Sequence, residues 1–116
     1  MAVRGWIGVD LDGTLAVYEG WKGEQTIGEP VPAMVNRVRR WLADGIEVRI
    51  VTARAAASRG DITFIEEWCL VHLGAILPVT NRKDFGMTAL WDDRAVAVEK
   101  NTGRILGGDI QTSWVE

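Results

Sequence analysis

The amino-acid sequence predicts an α/β domain in three layers, with a central, mostly parallel β-sheet between helices. Short apolar segments of strand length alternate along the chain with longer segments whose apolar residues recur at helical spacing. Strand–helix–strand connections of this kind are right-handed crossovers that place successive strands parallel in one sheet. One domain spanning residues 1–116 is expected, because 116 residues suffice for one hydrophobic core but not for two.

The first strand is predicted over residues 3–11, where a nearly continuous apolar run is typical of a strand buried on both faces. The run leads into Asp10-Leu11-Asp12-Gly13-Thr14, in which two carboxylates are separated by one residue. Open α/β sheets bind their ligands at the carboxyl ends of parallel strands. Asp10 and Asp12 are therefore the leading candidates for a functional site.

Residues 13–30 are rich in glycine and polar side chains, and they are too few to hold a core of their own. We expect this segment to be a flap over the end of the first strand. Residues 15–18 would form one arm of a small hairpin, and Trp21 would lie on the return arm.

The remaining predicted elements continue the alternation of strand and helix. They are a helix from Pro32 to a stop at Asp44-Gly45, a strand over 46–52, a helix from about 61 to 73, strands over 75–79 and 87–91, and a hairpin turn at 101–103. Residues 107–116 form a tail without an assigned conformation.

Polar residues follow several of these strands. Thr52 ends the second strand, Lys83 lies in the loop after the third, and Asp92 and Asp93 follow the fourth. The carboxyl ends of parallel strands meet at one edge of a sheet, so we expect these side chains to lie near the two aspartates of the first strand.

This set of residue types suits phosphoryl transfer. Several carboxylates at one edge repel one another, and a hard divalent cation is the usual remedy. Mg²⁺ is favoured over zinc, because histidine and cysteine each occur once in the chain. A lysine and a threonine hydroxyl beside a cation would bind a phosphoryl group, and of two neighbouring carboxylates one can attack phosphorus while the other moves protons. A calcium-type loop or a simple turn also fits the Asp-x-Asp-Gly-Thr pattern.

Together these residues resemble the motifs of the haloacid dehalogenase-like (HAD) superfamily of phosphotransferases. Asp10 to Thr14 resembles its first motif, Val51-Thr52 the second, Lys83 the third and Leu90-Trp91-Asp92-Asp93 the fourth. The motifs occur in the right order over residues 3 to about 100. The resemblance implies a Rossmann-like catalytic domain and a Mg²⁺-dependent phosphatase that works through an aspartyl-phosphate.

The resemblance also implies a role for each matching residue. Asp10 would be the nucleophile and a Mg²⁺ ligand. Asp12 would be the general acid and base, with its backbone carbonyl also reaching the metal. Thr52 and Lys83 would hold the phosphoryl oxygens.

The acidic pair after the fourth strand is assigned in the same way. Asp93 matches the position of a direct metal ligand better than Asp92, which would hold Lys83 or a metal-bound water. Asp92-Asp93-Arg94 after a strand, with Thr52-Ala53-Arg54 earlier in the chain, is similar to the phosphatase half of some polynucleotide kinases. Arg54 and Arg94 are therefore candidates to bind a second phosphate or a nucleotide, and a local ion pair with a neighbouring acid is the alternative.

Many HAD enzymes have a cap domain that selects the substrate, inserted after the first motif or between the second and third. Neither place in this chain is long enough for one, so the resemblance implies a cap-less, open site. Members without a cap tend to act on macromolecular phosphates or to form oligomers that complete the site. The substrate is left open among a small phosphorylated metabolite, a nucleotide and an exposed macromolecular phosphate, including the 3′-phosphate of a polynucleotide.

The composition of the chain limits the partners and the cellular compartment that we expect for it. With 13 basic and 16 acidic residues, the chain has no excess of positive charge for gripping nucleic acid. A single cysteine fits a reducing compartment, and no apolar run has the length of a membrane span. We therefore expect a cytoplasmic protein with no membrane partner.

The main alternative to an enzyme is a HAD-fold binding or assembly subunit with little turnover. The absence of a cap and the presence of six tryptophans would suit such a subunit, including a homo-oligomer. A phosphomutase or a dehalogenase on the same scaffold is a weaker alternative, because mutases usually need a cap and dehalogenases generally lack the full Mg²⁺ set.

Overall fold

The structure is a computed structural model, and it describes residues 5–23, 25–57 and 61–107. Within these ranges the elements are β1 (Trp6–Asp10), α1 (Pro32–Ala43), β2 (Glu47–Val51), α2 (Arg54–Ala57), α3 (Thr63–Leu73), β3 (Val79–Thr80) and β4 (Met87–Trp91). The predicted tail residues 108–116, including Trp114, and the predicted strand residues before Gly5 lie outside the described residues.

The four described strands form one parallel sheet in the order β3-β2-β1-β4. At the carboxyl edge Asp10 pairs with Val51 of β2, and Val9 pairs with Trp91 of β4. The α/β class and the parallel sheet are thus confirmed, and the arrangement is compatible with a Rossmann-like three-layer fold. The register places the residue after β4 beside the end of β1.

The hydrophobic core lies between the sheet and the two long helices. Val9, Val48 and Ile50 of the strands are fully or almost fully buried, and so are Val38 of α1 and Ile65 of α3. The predicted helix from Pro32 is confirmed, since Pro32 is the first residue of α1, where its missing N–H costs no hydrogen bond. The second predicted helix is confirmed over Thr63–Leu73.

Individual residues explain where α3 ends and how it contacts α1. Gly74 ends α3 in a left-handed conformation with φ of 78°. The guanidinium of Arg39 on α1 donates to the carbonyl oxygen of His72 at 2.8 and 3.1 Å. The His72 ring packs on Trp68 of the same helix, with centroids 4.6 Å apart, and the His72 backbone carbonyl joins α3 to α1.

The third strand differs most from its prediction. It covers only Val79–Thr80, later than the predicted 75–79. Pro78 has no N–H to donate, and it takes part in the pairing only as an acceptor, from the Ile50 N–H at 2.8 Å. The one-turn helix α2 was not predicted, because a run of three alanines after Arg54 offers no apolar periodicity.

The connection from β3 to β4 is a loop over residues 81–86 that crosses the face of the sheet bearing Trp6. In this loop Asp84 accepts a hydrogen bond from the Trp6 indole N–H at 2.9 Å and forms an ion pair with Arg49 at 3.6 Å. The Trp6 ring lies over Gly8, where an added Cβ would be 3.2 Å from the ring. The loop therefore leaves the carboxyl edge directly after β3 and runs toward the amino edge.

The flap segment 13–30 is held by an irregular hairpin near its ends. Val17 N–H donates to the Glu29 carbonyl at 2.8 Å, and Val31 N–H donates to the Leu15 carbonyl at 2.8 Å. The predicted arm at residues 15–18 is thus partly paired, but its partner is residues 29–31, and the placement of Trp21 on the return arm was wrong. The two arms close against the start of α1, so Trp21 lies in the longer loop between them.

The predicted hairpin turn at 101–103 is confirmed. Val98 and Ile105 form an antiparallel bridge across it, and Asn101 and Gly103 have φ of 69° and 80°. In the described ranges no helix is long and apolar enough to cross a membrane.

Candidate active site

A cleft of about 530 Å³ opens at the carboxyl edge of the sheet. It is lined by Asp10, Asp12, Tyr18, Trp21, Val51, Thr52, Ala53, Arg54, Asn81, Asp92, Asp93 and Arg94. The structure thus brings together seven of the eight residues that the sequence predicts for the site, and two aromatic residues of the flap line the same cleft.

Three carboxylates form a compact group in this cleft. One oxygen from each of Asp10, Asp92 and Asp93 lies within 4.8 Å of the others. Asp10 is the last residue of β1, and the other two follow β4, which is the hydrogen-bonded neighbour of β1. Their proximity therefore follows from the pairing of two strands that are far apart in sequence.

The turn after β1 holds Asp93 in place. The Thr14 hydroxyl donates to the Asp93 carboxylate at 3.0 Å and accepts a hydrogen bond from the Asp93 backbone N–H at 2.9 Å. The same hydroxyl lies 3.4 Å from an Asp10 carboxylate oxygen. Gly13 has φ of 92°, and a Cβ on it would be 2.6 Å from Asp93 Oδ2. Glycine is required here both for the turn and for the approach of the carboxylate.

The grouping of these acids changes the acidity of Asp10. Burial, a hydrogen bond to Asp93 and the charges of Asp92, Asp93 and Asp12 together raise the pKa of Asp10 from 3.8 to about 8. The protein without a bound cation therefore holds a proton among these carboxylates at neutral pH.

This donor set fits a hard divalent cation. All three side chains offer carboxylate oxygens, and neither the histidine nor the cysteine of the chain lies near them, since His72 and Cys69 are both on α3. Oxygen ligands without nitrogen or sulfur favour Mg²⁺ over zinc. A positive charge at this place would also remove the repulsion that raises the pKa of Asp10.

Asp12 lies outside this group, and its carboxylate faces Arg54. The guanidinium donates from Nε to Asp12 Oδ2 at 2.8 Å and from Nη2 to Oδ1 at 3.0 Å. This is the two-pronged geometry that fits a guanidinium to a carboxylate. Of the two alternatives for Arg54, a second phosphate site or a local ion pair, the structure contains the ion pair.

Thr52 is buried, with 3% of its surface exposed, and its position is set by the start of α2. Its hydroxyl oxygen accepts a hydrogen bond from the Arg54 backbone N–H at 3.1 Å, and its own N–H donates to the Thr80 carbonyl at 2.9 Å. A hydroxyl that accepts one hydrogen bond keeps its hydrogen for an anion in the cleft.

Lys83 does not line the cleft, contrary to its predicted place beside the aspartates. Because β3 extends to Thr80, Asn81 is the residue at the sheet edge, and the loop then turns away toward Asp84 and the amino end of β1. Arg94 does line the cleft, and its backbone N–H donates to the Asp92 carboxylate at 2.7 Å.

The structure adds four residues to the cleft or its support, and of these the sequence had suggested only Trp21, as part of an interface or a stacking surface on the flap. Thr14 belongs to the first motif, so its position was a usable signal, whereas nothing in the sequence distinguishes Asn81 from the other polar loop residues. Tyr18 and Trp21 were assigned to the flap, but their contribution to the cleft depends on how that segment folds back.

Comparisons with known proteins agree with the fold. No protein-family model matches the chain, and no curated protein matches it in sequence. A solved structure of a conserved protein from Bacteroides thetaiotaomicron is similar, with a TM-score of 0.58 and 21% sequence identity over 81% of this chain and 79% of that one. At this level of identity the likeness concerns the fold, and by fold this chain is an α/β domain of the same kind as that protein.

Proposed function

We propose that the chain is a Mg²⁺-dependent phosphohydrolase of the HAD type that hydrolyses a phosphomonoester through an aspartyl-phosphate on Asp10. The observation that carries the proposal is the group of Asp10, Asp92 and Asp93 in one cleft with Asp12 and Thr52. The three grouped carboxylates repel one another and so lower the stability of the fold, and a site for a cation and a phosphoryl group would account for that cost.

In the first step a carboxylate oxygen of Asp10 attacks phosphorus, and the bond from phosphorus to the leaving oxygen breaks. The product is an acyl phosphate on Asp10, and the leaving oxygen takes a proton from Asp12 to become an alcohol. The Thr52 hydroxyl donates to a phosphoryl oxygen and orients the group for attack.

In the second step a water molecule attacks the phosphorus of the acyl phosphate. Asp12 takes a proton from this water, inorganic phosphate leaves, and the Asp10 carboxylate is regenerated. Asp12 thereby returns to the protonation state from which the first step began.

The cation would be held by the carboxylates of Asp10, Asp92 and Asp93. When bound, Mg²⁺ supplies positive charge that keeps Asp10 ionised and stabilises the negative charge of the transferring phosphoryl group. With Lys83 away from the cleft, Arg94 and the Thr52 hydroxyl are two donors among the described lining residues that would contact a phosphoryl group.

The test is hydrolysis of an aryl phosphate by the purified protein with and without Mg²⁺. We expect phosphate release that requires the metal and that is lost in Asp10→Asn. In Asp12→Asn we expect the acyl phosphate to accumulate, because an aryl leaving group departs without a proton while the attack of water lacks its base. Intact-mass spectrometry after acid quenching detects the added phosphate.

Asp84→Asn is the matched control, because it removes a carboxylate outside the cleft and should leave turnover unchanged. Turnover in Asp10→Asn equal to that of the wild type would refute the covalent mechanism. Mg²⁺ binding without hydrolysis across a panel of phosphomonoesters would instead favour a binding or assembly subunit.

A further inference from the structure

A single buried guanidinium joins the flap to the cleft. The Arg54 side chain is 4% exposed, and beyond its pair with Asp12 it donates from Nη2 to the Thr26 carbonyl at 2.7 Å and from Nη1 to the Gly23 carbonyl at 3.4 Å. Both carbonyls belong to the flap segment 13–30. The flap and the Asp12 carboxylate are therefore both hydrogen-bonded to the same guanidinium group. A movement of the flap would also displace the carboxylate.

Arg54 also supports an aromatic ring at the rim of the cleft. Its guanidinium carbon lies 4.8 Å from the centroid of the Trp21 ring. Trp21 nevertheless remains 56% exposed, and it lines the cleft together with Tyr18. An exposed indole that rests on a buried cation loses little freedom when a second planar group stacks on it, so it is a preorganised stacking surface.

The size and charge of the cleft limit what such a ligand can be. A volume of about 530 Å³ lies in the range of sites for small molecules. Among the described residues, the cleft contains four carboxylates and two guanidinium groups, and one guanidinium is already paired with Asp12. With the proposed Mg²⁺ bound, these charges only balance, so no spare positive charge is left for a second phosphate, and a monoester whose leaving group is uncharged is favoured.

We propose that Arg54 is a positioning residue that holds Asp12 and the flap in one arrangement, and that Trp21 selects phosphomonoesters whose leaving group has a planar ring. A nucleoside monophosphate is the simplest such substrate. The proposal rests on the proposed function, because it treats Asp12 as the group that exchanges protons with the substrate.

The first experiment compares adenosine 5′-monophosphate with ribose 5-phosphate, which lacks only the base. In Trp21→Leu we expect KM for the nucleotide to rise about tenfold, since stacking of one base on an aromatic side chain is worth about 1.4 kcal/mol or more. KM for ribose 5-phosphate and both kcat values should change less than about twofold, because this substrate makes no stacking contact.

Phe85→Leu is the matched control for Trp21→Leu. Phe85 is also a fully exposed aromatic residue, but it precedes β4 at the amino edge of the sheet, away from the cleft. An equal rise of KM for both substrates in Trp21→Leu, or no rise for the nucleotide, would overturn the role of Trp21.

The second experiment tests Arg54 through its coupling to Trp21. Arg54→Gln should raise KM for the nucleotide as Trp21→Leu does. The KM of the double variant should not exceed the higher KM of the two single variants, because both changes remove the same stacking surface. Arg54→Gln should also lower kcat, more for ribose 5-phosphate than for an aryl phosphate, since a poor leaving group needs the proton of Asp12. Arg54→Lys should recover part of kcat.

Arg49→Gln is the control for Arg54→Gln, since Arg49 likewise pairs with a carboxylate and lies 4.4 Å from an indole ring, that of Trp6. Additive effects on KM in the double variant, or a fall in kcat that is equal for the two leaving groups, would overturn the role of Arg54. If Arg54→Gln fails to fold by circular dichroism, Trp21→Leu alone still decides the stacking.

Equilibrium binding separates this proposal from the proposed function. In the presence of Mg²⁺, the ratio of Kd values for ribose 5-phosphate and the nucleotide should fall about tenfold in Trp21→Leu. Such a fall in a protein that hydrolyses neither compound would support the stacking site and refute the phosphatase. Hydrolysis of both compounds with an unchanged Kd ratio would support the phosphatase and refute the stacking site.

Discussion

The two ends of β1 place the same kinds of side chain in opposite electrostatic situations. At the amino end, Trp6 donates its indole N–H to Asp84, and Arg49 lies over the Trp6 ring and pairs with Asp84. Hydrogen bonds from Trp6 and from the backbone, together with the charge of Arg49, lower the pKa of Asp84. Asp84 and Arg49 each have an opposite charge beside them.

At the carboxyl end, four residues further along the same strand, the charges are unbalanced. Asp10 faces Asp92 and Asp93, and burial and these neighbours raise its pKa to about 8. The difference shows that the strand is stabilised at one end and left with a deficit of positive charge at the other. A site that accepts a cation needs such a deficit, whereas a purely structural cluster does not.

The largest expected effect comes from Asp10→Asn. We expect turnover to fall at least about 10³-fold, because the nucleophile is lost. Above about pH 8, where Asp10 is ionised, the unfolding temperature of the metal-free protein should rise, because a repelling carboxylate is removed. Thermal unfolding in a chelator and phosphate release with Mg²⁺ measure the two effects. A fall in both turnover and the unfolding temperature of the metal-free protein would show that the carboxylates at this end of β1 do not destabilise the fold.

The second prediction concerns pH. The unfolded chain releases the Asp10 proton near pH 3.8, whereas the folded protein keeps it up to about pH 8. The folded state therefore binds more protons in this window, so this group's contribution to stability is full below about pH 4 and is lost as the pH rises to about 8. We expect the unfolding temperature in a chelator to fall by about 5 °C or more across the window, and saturating Mg²⁺ to flatten the dependence.

In that experiment Asp10→Asn is the control, because it lacks the titrating group and should show the smaller slope. A metal-free protein whose stability rises between pH 5 and pH 8 would contradict the raised pKa.

The third prediction tests the turn that brings Asp93 to Asp10. Gly13→Ala places a Cβ against the Asp93 carboxylate, so we expect Mg²⁺ affinity to fall about 10- to 100-fold by calorimetric titration. Gly20→Ala is the matched control, since Gly20 also has a positive φ, of 109°, but no atom lies within 4 Å of its Cβ position. Equal losses in the two variants would assign the effect to backbone strain alone.

The smallest effect is expected at the amino end of β1, where Asp84 and Arg49 balance each other's charge. Trp6→Phe removes the hydrogen bond to Asp84 and part of the surface under Arg49, and we expect it to lower the free energy of unfolding by about 1 kcal/mol. Turnover and Mg²⁺ affinity should not change. Chemical denaturation measures the first quantity, and a change in Mg²⁺ affinity would show that the two ends of β1 are coupled.

Local patterns were sufficient for most of the fold. Pro32 and Gly74 mark the ends of helices through properties of their own backbone, and the apolar run before Asp10 is recognisable without any partner strand. The sequence also contains the reason for the later position of β3, because Pro78 has no N–H to donate to a neighbouring strand.

The aspartates of the site could be predicted because each lies at the carboxyl end of a strand or within two residues of it, and strand ends are visible in the sequence. Lys83 could not be placed in this way, since it lies in a loop whose course depends on where β3 ends and on the contacts of Asp84 with Trp6 and Arg49.

The sequence by itself thus determined the α/β class, the limits of α1, the end of α3 and the aspartates of the cleft, since these depend on hydrophobic period, backbone chemistry and position at a strand end. Tertiary structure alone decided that Asp12 pairs with Arg54, that Thr14 holds Asp93 and that Trp21 stands at the rim. The reason is physical: hydrogen bonds and ion pairs act over a few ångströms between residues up to 79 positions apart. A local sequence pattern does not show which of these distant residues come into contact.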